Sequence, residues 1–331
     1  MEKRKLLLLS LLLSLFVFYT GCKDSTTEPT PDPVNESEVL AKYVETTLGG
    51  VPKIQAMASA SDVYSAIVAG STTQVVLDIR SAADYANGHI QGAINVALKD
   101  IVTYYEANNL KDKGTVVIAC YTGQTAGFAT AILRLLGYTN VKDLKWGMCS
   151  WNDTTATGWK SAIANGNEFA TQFVTTAAAK NAVGSLPKLS TGKTEATAIL
   201  RDRINVLLSS ADPFGDARMT KTTLFQNLND YYIVNYWSAA HYALGHIPGS
   251  IQYTPDPSDL ALSTALKTLP TDKKIAVYCY TGQTSAHIAA YLRALGYDAK
   301  SVLYGVNAMN YDILPANKFT TNEINTYPLV R

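Results

Sequence analysis

Short apolar runs alternate with amphipathic stretches along most of the chain, and the whole pattern occurs twice. The runs at 74–79 and 115–120 are rich in β-branched residues and have the length of buried strands. In the second half, the runs at 231–236 and 275–278 match them, and residues 141–144 predict one further strand in the first half. Each of these runs is short enough to cross a sheet once.

The segments between the strands have helical spacing of apolar residues. Residues 38–48, 61–68 and 195–208 predict helices, the second with Ser61 as a possible N-cap. After the strand that ends at 120, five apolar residues recur on one helical face, which should meet the sheet: Phe128, Ala131, Ile132, Leu135 and Leu136. Strands that alternate with helices predict an α/β fold with a mainly parallel sheet.

One six-residue stretch stands between a strand and a helix in both halves. It reads Cys120-Tyr121-Thr122-Gly123-Gln124-Thr125 and again Cys279-Tyr280-Thr281-Gly282-Gln283-Thr284. A helix N-terminus presents unpaired amides and the positive end of the helix dipole, which stabilise a thiolate. The glycine lets successive amides turn toward one anion. A buried structural cysteine is the alternative, but an identical loop in two divergent halves favours a functional one.

Two further motifs accompany the loop, and together the three motifs resemble those of a known protein family. They are Val76-Leu77-Asp78-Ile79-Arg80 with Gly88-His89-Ile90-Gln91-Gly92, and Leu144-Lys145-Trp146-Gly147. With the cysteine loop, they resemble the rhodanese family of sulfurtransferases. The resemblance implies two tandem rhodanese-like domains, each a mainly parallel sheet flanked by helices. We place them at 38–178 and 195–331, with a linker at 179–194 that is rich in small residues and contains Pro187.

The resemblance also implies the chemistry. A sulfane sulfur would pass from thiosulfate or a persulfide or polysulfide donor, through a cysteine persulfide, to a thiol or cyanide acceptor. Cys120 and Cys279 would be the nucleophiles, and no cofactor or metal is implied. The other residues of the two loops would bind the substrate: Tyr121, Thr122, Gly123, Gln124 and Thr125, and Tyr280, Thr281, Gly282, Gln283 and Thr284. A non-catalytic, membrane-tethered sulfur carrier or binding module is the alternative.

Asp78 and Arg80 match family positions that form a polar network near the loop, although Asp78 is equally compatible with a surface salt bridge or a turn. The second half has Asn235, Trp237 and His241 where the first has Asp78, Arg80 and Asp84. The second domain therefore either handles a less charged substrate or is mainly structural.

Neither loop contains the Arg or Lys that many thiosulfate-using members carry, so we expect weak thiosulfate binding and a persulfide, polysulfide or protein thiol as partner. Phosphatases of the same fold end this loop with Arg, where this chain has Thr125 and Thr284, so the sequence disfavours a phosphatase.

Two other residues have open roles. Cys149 has no cysteine counterpart in the second half and is interpreted either as a buried thiol or as a partner that forms a disulfide with Cys120. His89 is interpreted as a turn residue that bonds to backbone, rather than as a general base.

The amino terminus predicts export. A basic start at 1–5 precedes an apolar run at 6–18, which has the length of a secretory signal. Small residues before Cys22 resemble the lipobox of bacterial lipoproteins, which implies a signal at 1–21 and a lipid on Cys22. A plain signal peptide and a retained membrane anchor remain alternatives. Residues 22–37, rich in Pro, Thr and acidic residues, predict a flexible tether. We therefore expect an extracytoplasmic lipoprotein, on the periplasmic or cell-surface side, that contacts the membrane through its N-terminal lipid.

Composition excludes other classes. The net charge of +1 gives no electrostatic case for nucleic-acid binding, and the spacing of 4 Cys and 4 His contains no paired metal-ligand pattern. Gly192-Lys193-Thr194 resembles the end of a phosphate-binding loop, but Pro187 replaces the required glycine, so a nucleotide site is excluded.

Overall fold

The computed structural model describes residues 35–331, in which ten strands form two five-stranded parallel sheets. The first sheet has the order β1-β5-β4-β2-β3 and the second the order β6-β10-β9-β7-β8, so each half repeats the same topology. This confirms the predicted fold of two tandem α/β domains. The strands are β1 (Met57–Ala58), β2 (Gln74–Asp78), β3 (Ile94–Asn95), β4 (Thr115–Ala119), β5 (Val141–Leu144), β6 (Arg218–Met219), β7 (Tyr231–Asn235), β8 (Ile251–Gln252), β9 (Lys274–Tyr278) and β10 (Ala299–Val302).

Eleven α-helices in the described part of the chain connect and cover the sheets. In each half, a 12-residue helix directly follows the central strand and the cysteine loop, because parallel strands require a crossover connection. The helices are α1 (Glu36–Thr46), α2 (Ala60–Val68), α3 (Ala82–Asn87), α4 (Ile101–Ala107), α5 (Gln124–Leu135), α6 (Thr157–Ala164), α7 (Ala196–Leu208), α8 (Pro213–Asp216), α9 (Lys221–Gln226), α10 (Ala239–Tyr242) and α11 (Gln283–Ala294).

Two sequence predictions about helix starts are corrected. Ser59, not Ser61, caps α2, because its side chain accepts the amide of Asp62. Helix α1 begins at Glu36, inside the segment predicted as a tether, and Glu36 and Ser37 are buried. The reason is a set of contacts with the second half that the local composition does not reveal.

The second-half segment in these contacts includes Gly192, the first residue of the stretch that resembles the end of a phosphate-binding loop. The amides of Thr191 and Gly192 donate to the Glu36 carboxylate at 2.9 Å each, and the Ser37 hydroxyl donates to the Leu295 carbonyl. The anion at this turn is thus a carboxylate of the chain itself. Helix α1 also packs on α7, so the amino-terminal helix of the first half lies against the second half.

The two halves share one interior. Helices α5 and α11 pack directly against each other, and one buried apolar cluster includes residues of both halves. The Phe128 and Phe214 rings, one from each half, have centroids 5.6 Å apart. Because each cysteine loop lies at the start of one of these two helices, the helix contact brings the two loops near each other.

Each half also extends a segment across the other. After α6, Val174 pairs antiparallel with His246, and Ala178 pairs with Ile251. At the other end of the chain, Val330 pairs antiparallel with His89, and the amide of each donates a hydrogen bond to the carbonyl of the other at 2.9 Å. A segment of each half therefore covers part of the surface of the other half.

The predicted signal at 1–21, the lipidation site Cys22 and most of the tether lie outside the described residues. Within residues 35–331, no helix is long and apolar enough to cross a membrane.

Candidate functional site

Cys120 lies directly after the central strand β4, and its thiol points at the amides that begin α5. Its Sγ accepts from the Gly123 amide at 3.1 Å and from the Ala126 amide at 3.3 Å. Gly123 has a φ of +88°, which turns its amide toward the sulfur. The predicted arrangement of thiol, glycine turn and helix start is thus present.

The floor of the Cys120 loop is a second turn, at Trp146 and Gly147. Both residues have positive φ, of 65° and 61°. The Met148 amide donates to the Cys120 carbonyl at 2.8 Å, and the Cys149 amide donates to the Tyr121 carbonyl at 3.2 Å. A Cβ on Gly147 would lie 2.4 Å from the Gly123 nitrogen, so only glycine allows this approach.

Asp78 and Arg80 form a buried pair beside the loop. Asp78 ends β2, next to Ala119 of β4, and its Oδ2 accepts from Arg80 Nη2 at 2.6 Å. The guanidinium also donates to the Gly88 carbonyl and lies 6.0 Å from the ring centre of Tyr121. The surface salt bridge considered for Asp78 is excluded, since its side chain is fully buried.

Tyr121 extends from the loop toward solvent and is held at its hydroxyl. The hydroxyl donates to Asp84 and accepts from the Ser81 amide. Hydrogen bonds from Ser81 and Tyr121 lower the pKa of the Asp84 carboxyl. Asp84 is therefore ionised at neutral pH, and its carboxylate orients the Tyr121 hydroxyl.

A cavity of about 680 Å³ opens beside the Cys120 loop. Tyr121 and Thr122 of the loop line it, together with Cys149. Arg80 also lines it, and the second half contributes Tyr304 and Arg331. Three threonines are among the remaining lining residues: Thr154, Thr155 and Thr157.

Burial has the largest effect on the pKa of the Cys120 thiol. Desolvation raises the pKa of the Cys120 thiol, and the amides of Ala126, Thr122 and Gly123 only partly oppose this. The amides alone would stabilise the thiolate, as the sequence predicted. In the folded protein the side chain is 2% exposed, so desolvation is the larger effect.

The second loop repeats the backbone geometry with changed side chains. Cys279 Sγ accepts from the Gly282 amide at 3.2 Å and the Ser285 amide at 3.3 Å, and lies 3.6 Å from the Ser285 hydroxyl. Ser285 stands where the first half has Ala126, and its hydroxyl also bonds Ser301 at 2.8 Å. Cys279 is therefore enclosed by polar groups that the first loop lacks.

Aromatic stacking covers the second loop. Trp237, which replaces Arg80, stacks on Tyr280 with ring centroids 4.7 Å apart. His241, which replaces Asp84, bonds the Tyr280 hydroxyl through Nδ1. The three replacements read from the sequence thus occupy equivalent places, but Tyr280 is half-buried where Tyr121 is exposed.

The other predicted loop residues divide into two groups. Thr122, Thr125 and Thr284 are half-buried near the loop surface, whereas Thr281 is buried and its hydroxyl accepts from the Gln283 amide. Gln124 and Gln283 are fully buried, and their side chains point into the contact between the halves rather than toward the cavity.

Cys149 and His89 have distinct surroundings. Burial raises the pKa of the Cys149 thiol to about 11, and the thiol lies beside the start of α6, near Gly158. Asn307 holds the corresponding place in the second half, where its amide bonds the Tyr280 and Asn317 carbonyls. The His89 ring contacts the Tyr85 carbonyl through Nδ1 and stacks on the Tyr85 ring, as expected for a turn residue.

Sequence reasoning missed several contacts to the loop. Trp159 donates from Nε1 to the Thr122 carbonyl at 3.0 Å. Tyr304 and Arg331 reach the first cavity from distant parts of the chain, and no local signal indicates this. Within residues 35–331, no group of three or more His, Cys, Asp or Glu side chains is placed to bind a metal ion.

Comparisons with known proteins agree with this geometry. The family profile described as the rhodanese-like domain matches residues 59–154 and 220–310. Thiosulfate sulfurtransferase GlpE of Pseudomonas fluorescens (strain SBW25) is 36% identical over 93 residues, which are 28% of this chain and 80% of that protein. Thiosulfate sulfurtransferase PspE of Escherichia coli (strain K12) is 38% identical over 68 residues, 20% of this chain and 64% of that protein.

Among solved structures, a thiosulfate sulfurtransferase from Pseudomonas aeruginosa is 20% identical, with a TM-score of 0.30, over 86% of this chain and 48% of that one. The two profile matches cover more than half of the sequence and coincide with the two sheets. The chain belongs to the rhodanese-like domain family and carries that domain twice in tandem.

Proposed function

We propose that this protein is a sulfurtransferase that carries a sulfane sulfur as a persulfide on Cys120. The observation that carries the proposal is the Cys120 sulfur held by the Gly123 and Ala126 amides at the start of α5, in a loop whose Tyr121 and Thr122 line an open cavity. Relatives named thiosulfate sulfurtransferases support the same reaction class.

Two displacement steps account for the reaction. The Cys120 thiolate attacks the outer sulfur of the donor, the bond between the two donor sulfurs breaks, and the rest of the donor leaves with the electron pair. The acceptor, a thiolate or cyanide, then attacks the outer sulfur of the persulfide and regenerates the Cys120 thiolate. The amides of Gly123 and Ala126 stabilise negative charge on the sulfur in both steps.

The cavity favours a donor or acceptor larger than thiosulfate. Its volume of about 680 Å³ is in the range of pockets that hold organic ligands, whereas thiosulfate has only five atoms. Arg80 and Arg331 line this cavity, but the buried Asp78 carboxylate pairs with Arg80, and Asp84 offsets part of the remaining positive charge. A low-molecular-weight persulfide with a carboxylate fits this lining better than a small dianion does.

We propose Cys120 as the main site because the second loop is more enclosed. Trp237 stacks over Tyr280, which is half-buried, whereas Tyr121 of the first loop is exposed. Loading of Cys279 should therefore be slower than loading of Cys120.

Steady-state kinetics test the proposal. With a persulfide or polysulfide donor and cyanide or a thiol as acceptor, double displacement predicts parallel lines in reciprocal plots. The size of the cavity predicts a lower KM for the persulfide than for thiosulfate. The Cys120→Ser variant should lose the activity. Loading without turnover by any acceptor would favour a sulfur carrier, and no loading at all would refute the proposal.

We also propose that the protein is an extracytoplasmic lipoprotein attached through Cys22, on the evidence of the basic, apolar and small-residue pattern at 1–22. Metabolic labelling with a fatty acid should mark the wild type and not Cys22→Ser. Unlabelled wild type in the soluble fraction would contradict this.

A further inference from the structure

The side chain of Gln283 leaves its own loop and binds the floor of the other one. Its Oε1 accepts from the Trp146 amide at 2.8 Å, and its Nε2 donates to Asp143 Oδ2 at 2.9 Å. All three groups are buried. The first residue of α11, in the second half, thus satisfies two polar groups of the first half.

Trp146 directly precedes Gly147, the residue of this turn that lies closest to the Cys120 loop. The next residue, Gly147, lies against the backbone of the Cys120 loop, where a Cβ would be 2.5 Å from the Cys120 carbonyl and 2.4 Å from the Gly123 nitrogen. The Gly123 amide is also one of the two that bond Cys120 Sγ. A shift of the Trp146 turn must therefore displace the amides that hold the sulfur.

The arrangement is reciprocal. Gln124 Oε1 accepts from the Tyr304 amide at 2.7 Å, and Tyr304 precedes Gly305, the floor glycine of the Cys279 loop. A Cβ on Gly123 would lie 2.2 Å from Gln283 Nε2, and one on Gly282 would lie 2.4 Å from Gln124 Oε1. The Gly-Gln pair common to both loops therefore serves the contact between the halves, since each glycine leaves room for the glutamine of the other loop.

The two supports are not equal in strength. Gln124 donates its Nε2 to Thr122 of its own loop, at 3.0 Å. Gln283 instead donates to Asp143, which also contacts His287 Nε2 at 2.9 Å, with both side chains fully buried. Gln283 therefore makes two short hydrogen bonds to the half that contains the first loop, whereas Gln124 makes one to the half that contains the second.

We infer that Gln283 is a positioning residue for Cys120, and Gln124 one for Cys279, so that each cysteine loop is completed by the other domain. This inference rests on the proposed function for its catalytic meaning, but its structural content is independent of sulfur chemistry. It assigns the second loop a role in the first reaction site even if Cys279 itself transfers no sulfur.

Hydrogen exchange measured by mass spectrometry on the full-length protein tests the inference. Gln283→Met keeps side-chain length and removes both hydrogen bonds, so exchange in the peptide from Cys120 to Ala126 should speed up about tenfold. The peptide from Cys279 to Ser285 should change less, although it contains the substitution. The matched variant Gln124→Met should give the reverse pattern, with a smaller effect.

A larger change in the substituted loop itself, or equal changes in both loops, would overturn the inference. If Gln283→Met does not fold, Gln283→Asn carries the same comparison with the same expected pattern, because its amide is neutral but one methylene too short to keep both the Trp146 and the Asp143 hydrogen bonds.

Kinetics add a readout that simple destabilisation does not produce. In Gln283→Met, the rate constant for sulfur loading at Cys120 should fall about tenfold with little change in donor KM, because the cavity lining is not altered. An unchanged loading rate would contradict the positioning role. If wild-type protein takes up no sulfur, the proposed function fails, while the exchange experiment still decides the inference.

Discussion

The substitution Gly147→Ala places one methyl group at the most crowded point below the Cys120 loop. The new Cβ would lie 2.4 Å from the Gly123 nitrogen, 2.5 Å from the Cys120 oxygen and 2.7 Å from the Thr122 nitrogen. All three are backbone atoms, which cannot rotate away as the end of a side chain can.

Two costs add up. Alanine at a φ of +61° costs about 1–2 kcal/mol, and overpacking against fixed atoms costs about 1–3 kcal/mol. The lower chain entropy of alanine in the unfolded state offsets about 0.4–1 kcal/mol. The free energy of unfolding should therefore fall by about 1–5 kcal/mol. Sulfur loading of Cys120 should be largely lost because the displaced amides are those of the loop.

Gly137→Ala is the matched control. Gly137 also has a positive φ, of +91°, but no atom lies within 4 Å of the Cβ position, so only the backbone strain applies. Denaturant unfolding should show a loss of about 1 kcal/mol, with normal loading. If Gly147→Ala is no less stable than Gly137→Ala and loads sulfur normally, the account of the loop floor is wrong.

Three further predictions follow from the first site. Because burial raises the Cys120 pKa, its alkylation by an uncharged reagent should keep accelerating above pH ~8.5; a plateau near neutral pH would contradict this. Arg80→Met leaves the buried Asp78 carboxylate without its partner, so the free energy of unfolding, measured with denaturant, should fall by about 3–5 kcal/mol, and an effect below about 1 kcal/mol would refute the role of the pair. Trp159→Phe removes the hydrogen bond to the Thr122 carbonyl and should cost about 1 kcal/mol in the same assay, with slower loading; unchanged values would show that the bond contributes nothing.

The parts of the fold that depend on local pattern could be predicted. The β-branched runs gave the central strands, and β5 has the predicted bounds of residues 141–144. The start of α5 at Gln124 follows from the glycine turn before it. These features are set by side-chain periodicity and backbone preference, which the sequence displays directly.

The contacts between distant segments could not be predicted in this way. The burial of Glu36 depends on amides more than 150 residues away, and the burial of Gln283 depends on the turn at Trp146. In the sequence, the Gly-Gln pair belongs to the cysteine loop, and only the packing of α5 on α11 shows that it joins the two halves. The raised pKa of Cys120 has the same origin, since desolvation is a property of the packed protein.

The most direct test of the central claim is peptide mass mapping of the protein after brief exposure to a persulfide or polysulfide donor, for wild type, Cys120→Ser and Cys279→Ser. The account predicts one added sulfur on the Cys120 peptide in wild type and Cys279→Ser, and little or none in Cys120→Ser at the same time point. Sulfur on Cys279 with Cys120 unmodified would contradict the assignment of the main site, and no sulfur on either cysteine would contradict the sulfurtransferase account as a whole.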